Sequence, residues 1–588
     1  MDVAGKKVRN IWGNKGKKMG EAEELNKFEV HAPKNQHNKG DRICFLQKID
    51  IQGSLCPDGK NADVIFLDMN RMRDKIRMMN GINDEEILSL FDTAEGFRRI
   101  VSGIGFSFDH TDAQQIDLEW IFYGKEDRYV SGTHCHISCP TDGRETLLWM
   151  DEVQLGTDDD IPGQLRFCFP GEGMCAKATV VFYVQEGYHL PQLELEPPVN
   201  FESEQYDKMI DRSLLSTGNN FRLKMMLDKV QEGKPINLAF IGGSITQGAG
   251  AKPGSTECYS YHVWKDLGQM LGTQQISYTR AGLGGTPSEL GLLRFEKDVL
   301  RKEQPDIVVI EFAVNDADDE TEGRCFEGLI RKIMMRENHP AVILLFSVFS
   351  NDWNLQDRLA PIGRYYGLPM VSILDAVSPQ FGKSRDDGGV ISKRQYFYDC
   401  FHPTNDGHRI MADCLLNLME HILDASQDES ISMPIRTMTG RTFETARLID
   451  RISEDIADGN IYMECGDFSA TDTELQMAAY DDEVRDQPQF PNNWMHTAQA
   501  GSSPFVIRLR CRSLFLITKD AGEDNFGEAT VIVDGKMNRT IDPHQVGWTH
   551  CHPFLLFESD RVMQHEIQIQ MAPENEHKAF TILGFGVC

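Results

Sequence analysis

The stretch Ile236-Asn237-Leu238-Ala239-Phe240-Ile241-Gly242-Gly243-Ser244-Ile245-Thr246 decides how this chain reads. The run from Ile236 to Ile241 is apolar apart from Asn237 and predicts a buried strand. Two glycines then let the backbone turn sharply, with no Cβ to clash. A serine placed there is presented at the carboxyl end of a strand, where open α/β sheets bind their ligands. Taken alone, the segment also fits an ordinary strand-to-helix turn with Ser244 as a helix cap. Far downstream, Asp399-Cys400-Phe401-His402-Pro403 supplies an imidazole with a carboxylate three residues before it. That pair is a possible base with its orienting acid, and it weights the reading toward chemistry.

Outward from Ser244, apolar strands alternate with longer amphipathic stretches. The strands are expected at Ile236–Ile241, Ile276–Thr279, Asp306–Phe312, Ala341–Val348 and Met370–Leu374. The helices are expected at Tyr259–Leu271, Ser288–Arg301, Arg324–Arg336, Leu355–Tyr366 and Asn405–Leu423. Such alternation predicts a parallel sheet covered by helices on both faces. It extends over residues 200–430. On either side the pattern changes to short β-branched and aromatic runs between Gly, Asp and Pro, which predicts mostly-β domains over 41–199 and 431–588. The second of these is expected to be sandwich-like, with Asp534-Gly535 as a hairpin turn and Phe580–Phe585 as a last strand. Leu190 to Pro198 reads as a stiff linker. Residues 1–40 read as a polar, basic arm.

The bulk numbers limit the partners. A chain of 588 residues is too long for one core and suggests three or four domains. A net charge of −30 repels nucleic acid and anionic membrane surfaces. No apolar run is long enough for a membrane span, and the start lacks the apolar core of a secretory signal, so a cytoplasmic location is expected. Fourteen scattered cysteines fit reduced, mostly buried thiols, with Cys56, Cys135, Cys139 and Cys175 as disulfide partners only in an oxidising compartment.

Four segments in the middle of the chain carry chemistry. They are Gly242-Gly243-Ser244, Gly282-Leu283-Gly284-Gly285-Thr286, Ala313-Val314-Asn315-Asp316 and Asp399 to Pro403. Loops after successive parallel strands emerge on one edge of the sheet, so these segments can meet in one crevice. Acyl transfer suits them. A serine hydroxyl needs a base to become a nucleophile, and His402 can serve, held by Asp399. The backbone N–H groups of Ser244 and Gly285 and the side-chain amide of Asn315 can receive the oxyanion of a tetrahedral intermediate. Neither Gly-x-Ser-x-Gly nor a phosphate-binding Gly-Lys-Ser/Thr is present at this turn.

These blocks resemble the SGNH, or GDSL-type, hydrolase family, with Ser244, Gly285, Asn315, Asp399 and His402 matching its pattern in order. The match covers about 200 residues in the middle of the chain. It implies a flavodoxin-like three-layer α/β/α core, here flanked by the two β domains, and esterase chemistry with no cofactor or metal. The chain departs from the pattern at Gly243, where Asp is common, at Arg280, where Asn is frequent, and at Ala313-Val314, where Gly-Gly is usual. The three-part layout resembles bacterial carbohydrate esterases that deacetylate polysaccharide fragments. Removal of acetyl groups from an oligosaccharide is therefore expected. The alternatives are a short-chain lipase or thioesterase of the same fold and a glycan-binding protein with a weak core. A homodimer is the expected assembly.

Other residues receive plainer expectations. Trp353 and Tyr259 are candidates for a sugar-stacking wall, with core packing as the alternative, and Arg280 for shaping the substrate pocket. Asp316 is expected to cap a helix or form an ion pair. Asn405, Asp406 and His408 are expected to cap the last helix. Asp158–Asp160 and Asp316–Glu320 are expected to be solvated acidic loops. His134 with His136, and His550 with His552, should each point to one face of a strand, as core or surface histidines rather than metal ligands.

Overall fold

The structure, a computed structural model, describes residues 27–29, 42–56, 58–478 and 487–588. The central sheet has six strands in the order Leu214–Ser216, Met370–Ser372, Ala341–Phe346, Ile307–Glu311, Ile236–Gly242, Ile276–Gly282. The first is antiparallel to its neighbour and the other five run parallel. In chain order the parallel strands lie 2-1-3-4-5, the flavodoxin-like arrangement. Every residue of Ile236–Gly242, Ile307–Glu311 and Ala341–Phe346 is buried. Burial on both faces is why these strands read as continuous apolar runs rather than alternating ones.

The two faces have separate cores. Leu238, Phe240, Val309 and Ile343 pack under the helices Tyr259–Met270 and Asn405–Asp424. Ala239, Ile241, Val308 and Ile310 pack under Ser288–Val299 and Arg324–Met334. Side chains as fully buried as Phe240 and Ile241 each contribute roughly 1.5–3 kcal/mol through burial. The last strand stops at Ser372, earlier than its apolar pattern suggests. The Ser372 side chain accepts the Asp375 N–H and starts a short helix, Ile373–Val377.

The N-terminal part is a six-stranded and a four-stranded sheet closed over one apolar cluster. The helices Arg71–Asn80, Glu85–Ser89 and Ala94–Ile100 add to the β content expected there. Their signal is the spacing of Met72, Ile76 and Met79, which puts three buried side chains on one face. Asp84 and Thr93 cap the two later helices. The polar arm lies outside the described residues except for Lys27–Glu29, which pairs in parallel with His134–His136.

The C-terminal part has an eight-stranded sheet built on two long strands, Phe505–Asp520 and His550–Met571, and a separate two-stranded one that pairs Met477–Ala478 with Gln487–Pro488. Register shifts at Cys511–Phe515 bend the pair. Such bends let one strand serve two layers. Phe505, Ile507 and Leu509 accordingly share a core with Leu516, Ile582 and Phe585. Asp534 and Gly535 both take positive φ at the hairpin tip, as a primed turn requires. The opposite face, with Phe515, Ile517 and Leu583, joins the core of helix Ser288–Val299. All fourteen cysteines are free thiols. Among the described residues, no helix is long and apolar enough to cross a membrane.

Candidate active site

Ser244 begins a four-residue helix directly after the strand Ile236–Gly242. Its Oγ lies 2.9 Å from His402 Nε2, and His402 Nδ1 lies 2.8 Å from Asp399 Oδ2. The other Asp399 oxygen accepts the N–H groups of Phe401 and His402, both at 2.8 Å. Burial alone would raise the Asp399 carboxyl. The imidazole and the two N–H donors outweigh it and hold the group well below the usual carboxylate range. The arrangement suits a serine, a base that can take its proton, and an acid that fixes the base's tautomer.

The three expected oxyanion donors lie around Ser244. A Cβ on Gly243 would sit 2.4 Å from Asn315 Oδ1 and 2.8 Å from its Nδ2, so the Asn315 amide lies directly against this backbone. Gly243 therefore replaces the common Asp at a point where a side chain would displace that amide. A Cβ on Gly284 would lie 3.6 Å from Ser244 Cβ. Gly285 has φ +71°, a left-handed conformation that favours glycine. Among the described residues, the N–H groups of Ser244 and Gly285 and the Asn315 side-chain amide donate to no protein acceptor.

Behind the turn stands Glu311, which the sequence reading overlooked because it ends an apolar strand. Thr246 Oγ1 donates to its Oε2 at 3.0 Å and contacts Tyr259 OH at 2.8 Å. Burial raises this carboxyl to about 7, partly offset by hydrogen bonds from Ser347, Thr246 and Gly243. It ties the turn that carries Ser244 to the sheet.

Both β parts hold the site loops. From the N-terminal part, Gln47 donates to the carbonyls of Phe397 and Tyr398 at 3.0 and 2.9 Å and accepts from Lys75 Nζ at 3.1 Å. Gln47 and Lys75 are both buried. These contacts grip the chain just before Asp399. Gln47→Leu would strand two carbonyls and an ammonium, each worth about 1–3 kcal/mol when unsatisfied. A loss on the order of 3 kcal/mol in urea unfolding is expected, and an unchanged midpoint would show that the grip contributes nothing.

From the C-terminal part, Gln476 Nε2 donates to the Gly284 carbonyl at 2.7 Å and His550 Nε2 to the Gly285 carbonyl at 2.9 Å. His550 Nδ1 lies 2.9 Å from Asp520 Oδ2, directly across the strand pair. Trp548 stands over Gly285, 3.1 Å from where its Cβ would be. His552 shares the Asp520 side, as the expected pairing on one face implies. Asp520, His550 and His552 bring ligand-type atoms within 4.8 Å of one another, and so do Glu119, His134 and His136. In the second group Arg166 and Lys60 already neutralise Glu119, at 3.0 and 3.3 Å. Burial pushes that carboxyl up, but His134, Arg166 and Lys60 bring it down to about 2.

Residues 240–410 match the family model described as GDSL-like lipase/acylhydrolase. The central domain is a GDSL-like hydrolase domain. The matched segment encloses Ser244, Gly285, Asn315, Asp399 and His402. Among solved structures, the chain is similar to a two-domain esterase (CEX) active on acetylated mannans. Identity is 26%, with 64% of this chain and 98% of that one covered and a TM-score of 0.54. The same esterase co-crystallized with mannopentaose gives 26% identity, 64% and 97% coverage and a TM-score of 0.53. Comparison with curated proteins gave no match.

Within the GDSL-like domain, several expected roles need correction. Tyr259 is fully buried, stacked on His408 and bonded to Thr246, so it is core and no sugar wall. Arg280 is also buried. It donates to the Gly254 carbonyl at 2.7 Å and contacts Cys258 Sγ at 2.9 Å, bracing the loop after the Ser244 turn rather than facing a pocket. Trp353 stacks on Phe349, which meets Phe401 edge-on beside His402. Phe401 is 44% exposed and is an aromatic group that the sequence reading missed.

The last helix is capped by Thr404, not by the residues after it. Asn405 instead bonds both the N–H and the carbonyl of Lys252. Asp406 lies within the helix beyond its cap. His408 is buried, and its Nε2 donates to the Ala249 carbonyl at 3.0 Å. Burial lowers it to about 3. Asp316 does cap a helix, accepting the Ser288 N–H at 2.7 Å. It and Asp319 are buried and not solvated, with Asp319 paired to Arg358. Asp159 is buried as well, accepting from Thr133 and Gly156. Each of these carboxylates finds backbone donors, which the charge run alone does not reveal.

Proposed function

We propose that this protein is a serine esterase that removes O-acetyl groups from oligosaccharides, with Ser244 as nucleophile. The observation that carries the reading is the chain of short contacts from Ser244 Oγ through His402 to Asp399, beside three unengaged donors. Ser244 Oγ attacks the ester carbonyl as His402 Nε2 takes its proton. The carbonyl oxygen becomes an oxyanion and accepts from Ser244 N–H, Gly285 N–H and Asn315 Nδ2. His402 then returns the proton to the departing sugar oxygen, leaving acetyl on Ser244. Water, deprotonated by His402, attacks that acetyl. Collapse releases acetate and restores the serine. Asp399 keeps His402 in the tautomer with Nδ1–H and stabilises its charged form.

The carbohydrate substrate is supported by likeness to an esterase active on acetylated mannans and by aromatic groups close to the Ser244 site. Phe401 and Trp353 lie on the His402 side and Trp548 on the Gly285 side. Aromatic faces bury the apolar faces of sugar rings while hydroxyls stay wet. Acetate release from acetylated manno-oligosaccharides, followed by NMR beside a nitrophenyl ester series of rising chain length, tests the reading. Acetate release and a steep preference for acetyl are expected. Preference for long acyl chains with no acetate from the sugar would replace it with a lipase.

A further inference from the structure

The Gly284–Gly285 segment should be floppy. Two successive glycines give the backbone its widest freedom, yet an oxyanion donor must be aimed to within a fraction of an ångström. A peptide unit is planar, so the Gly284 carbonyl and the Gly285 N–H move as one plate. Gln476 Nε2 holds that carbonyl at 2.7 Å. The next plate is held through the Gly285 carbonyl by His550 Nε2 at 2.9 Å. The N–H of Gly285 is thus clamped on both sides, and neither clamp comes from the central sheet or its helices. His550 is itself fixed at its other nitrogen by Asp520, which is fully buried. The strand register places Asp520 directly opposite His550. Gln476 is also buried, and the neighbouring Met477 carbonyl accepts from Gln247 at 3.2 Å, so this strip is stitched to the turn that carries Ser244.

We propose that Gln476 and the Asp520–His550 pair are positioning residues for catalysis, and that the C-terminal β part completes the oxyanion hole of the central domain. The proposal rests on the reading of Gly285 as an oxyanion donor. A hydrogen bond accepted by a peptide carbonyl also polarises the N–H of the same peptide, so Gln476 strengthens the donor it aims. Substrate affinity does not depend on these contacts, because the oxyanion exists only after attack. Their loss should therefore fall on kcat and spare KM.

Three variants of the full chain test this, assayed on 4-nitrophenyl acetate with thermal unfolding alongside. Gln476→Met keeps the length of the side chain, removes the donor and strands no charge. His550→Leu removes the second clamp. His550→Gln keeps an Nε2 donor at similar reach. Complete loss of an oxyanion donor costs about 10²–10³-fold in kcat, so a misaimed one should cost about 10-fold for each of the first two variants. KM should stay within about twofold, and His550→Gln should recover most of the loss. If His550→Leu unfolds because Asp520 is left buried and unpaired, Gln476→Met and His550→Gln still decide the matter. Unchanged kcat in Gln476→Met, or a loss in His550→Gln equal to that in His550→Leu, overturns the proposal. Ser244→Ala run in parallel separates the two levels. Activity kept in Ser244→Ala overturns the esterase reading, whereas an inactive Ser244→Ala beside fully active clamp variants overturns only the clamp.

Discussion

Ser244→Ala is expected to lower kcat for acetyl ester hydrolysis about 10⁶-fold while unfolding at the parent's temperature. Among the described residues, Ser244 Oγ hydrogen-bonds to His402 and to no other side chain, so its removal leaves no other side-chain donor or acceptor stranded. The turn is held by other atoms: the Gln247 N–H bonds the Gly243 carbonyl and Thr246 bonds Glu311. The proposed oxyanion donors and His402 remain in place, and such a remnant still supports roughly 10³-fold catalysis over water. The variant should thus be folded, able to bind substrate and almost inert. Activity within tenfold of the parent, measured as acetate released per enzyme, would remove Ser244 from the mechanism.

Asp399→Asn is expected to cost about 10⁴-fold in kcat. An amide at this position keeps one oxygen to accept the Phe401 and His402 N–H groups, but its N–H₂ end replaces the oxygen that faces His402 Nδ1 and favours the wrong tautomer of His402. Stability should respond too, with a defined sign. The Asp399 carboxyl is more acidic folded than unfolded, so the unfolded chain binds more protons as pH falls. Its contribution is fully present above the unfolded carboxylate's pKa of about 4 and is lost below it. The parent should be more stable than Asp399→Asn at pH 7, and the gap should narrow by pH 3. Urea unfolding at the two pH values measures this. A gap independent of pH would show that the carboxylate is not held in its charged form by the fold.

The parallel core was legible because burial on both faces leaves a run such as Ala341–Phe346 apolar throughout, and its helices carry a strong one-face pattern. The four site segments were legible because each follows a strand end or precedes a helix, where local sequence sets the geometry. Tyr259 and Arg280 misled for a simple reason. Closeness in sequence to a site segment, the Ser244 turn for Tyr259 and the Gly282–Thr286 block for Arg280, says nothing about which way a side chain points, and both are buried. Gln476, Asp520, His550 and Trp548 were invisible for the opposite reason. They reach the site only through packing of the bent C-terminal sheet on helix Ser288–Val299, a contact between segments more than 180 residues apart. The one available signal was the His550–His552 alternation on a strand, and it becomes informative only once the register sets Asp520 opposite. The helices at Arg71–Asn80 and Ala94–Ile100 escaped because their apolar spacing is embedded among strands of similar composition.

Covalent labelling tests the central claim most directly. The intact protein is treated with diethyl 4-nitrophenyl phosphate, which phosphorylates an activated serine and releases nitrophenol, and is then weighed and digested for mass spectrometry. One diethyl phosphoryl group per chain is expected, on the peptide containing Ser244, with loss of esterase activity in step. Neither Ser244→Ala nor His402→Ala should be labelled. Stoichiometric labelling on another residue, or full esterase activity in a protein fully labelled at Ser244, would contradict the account.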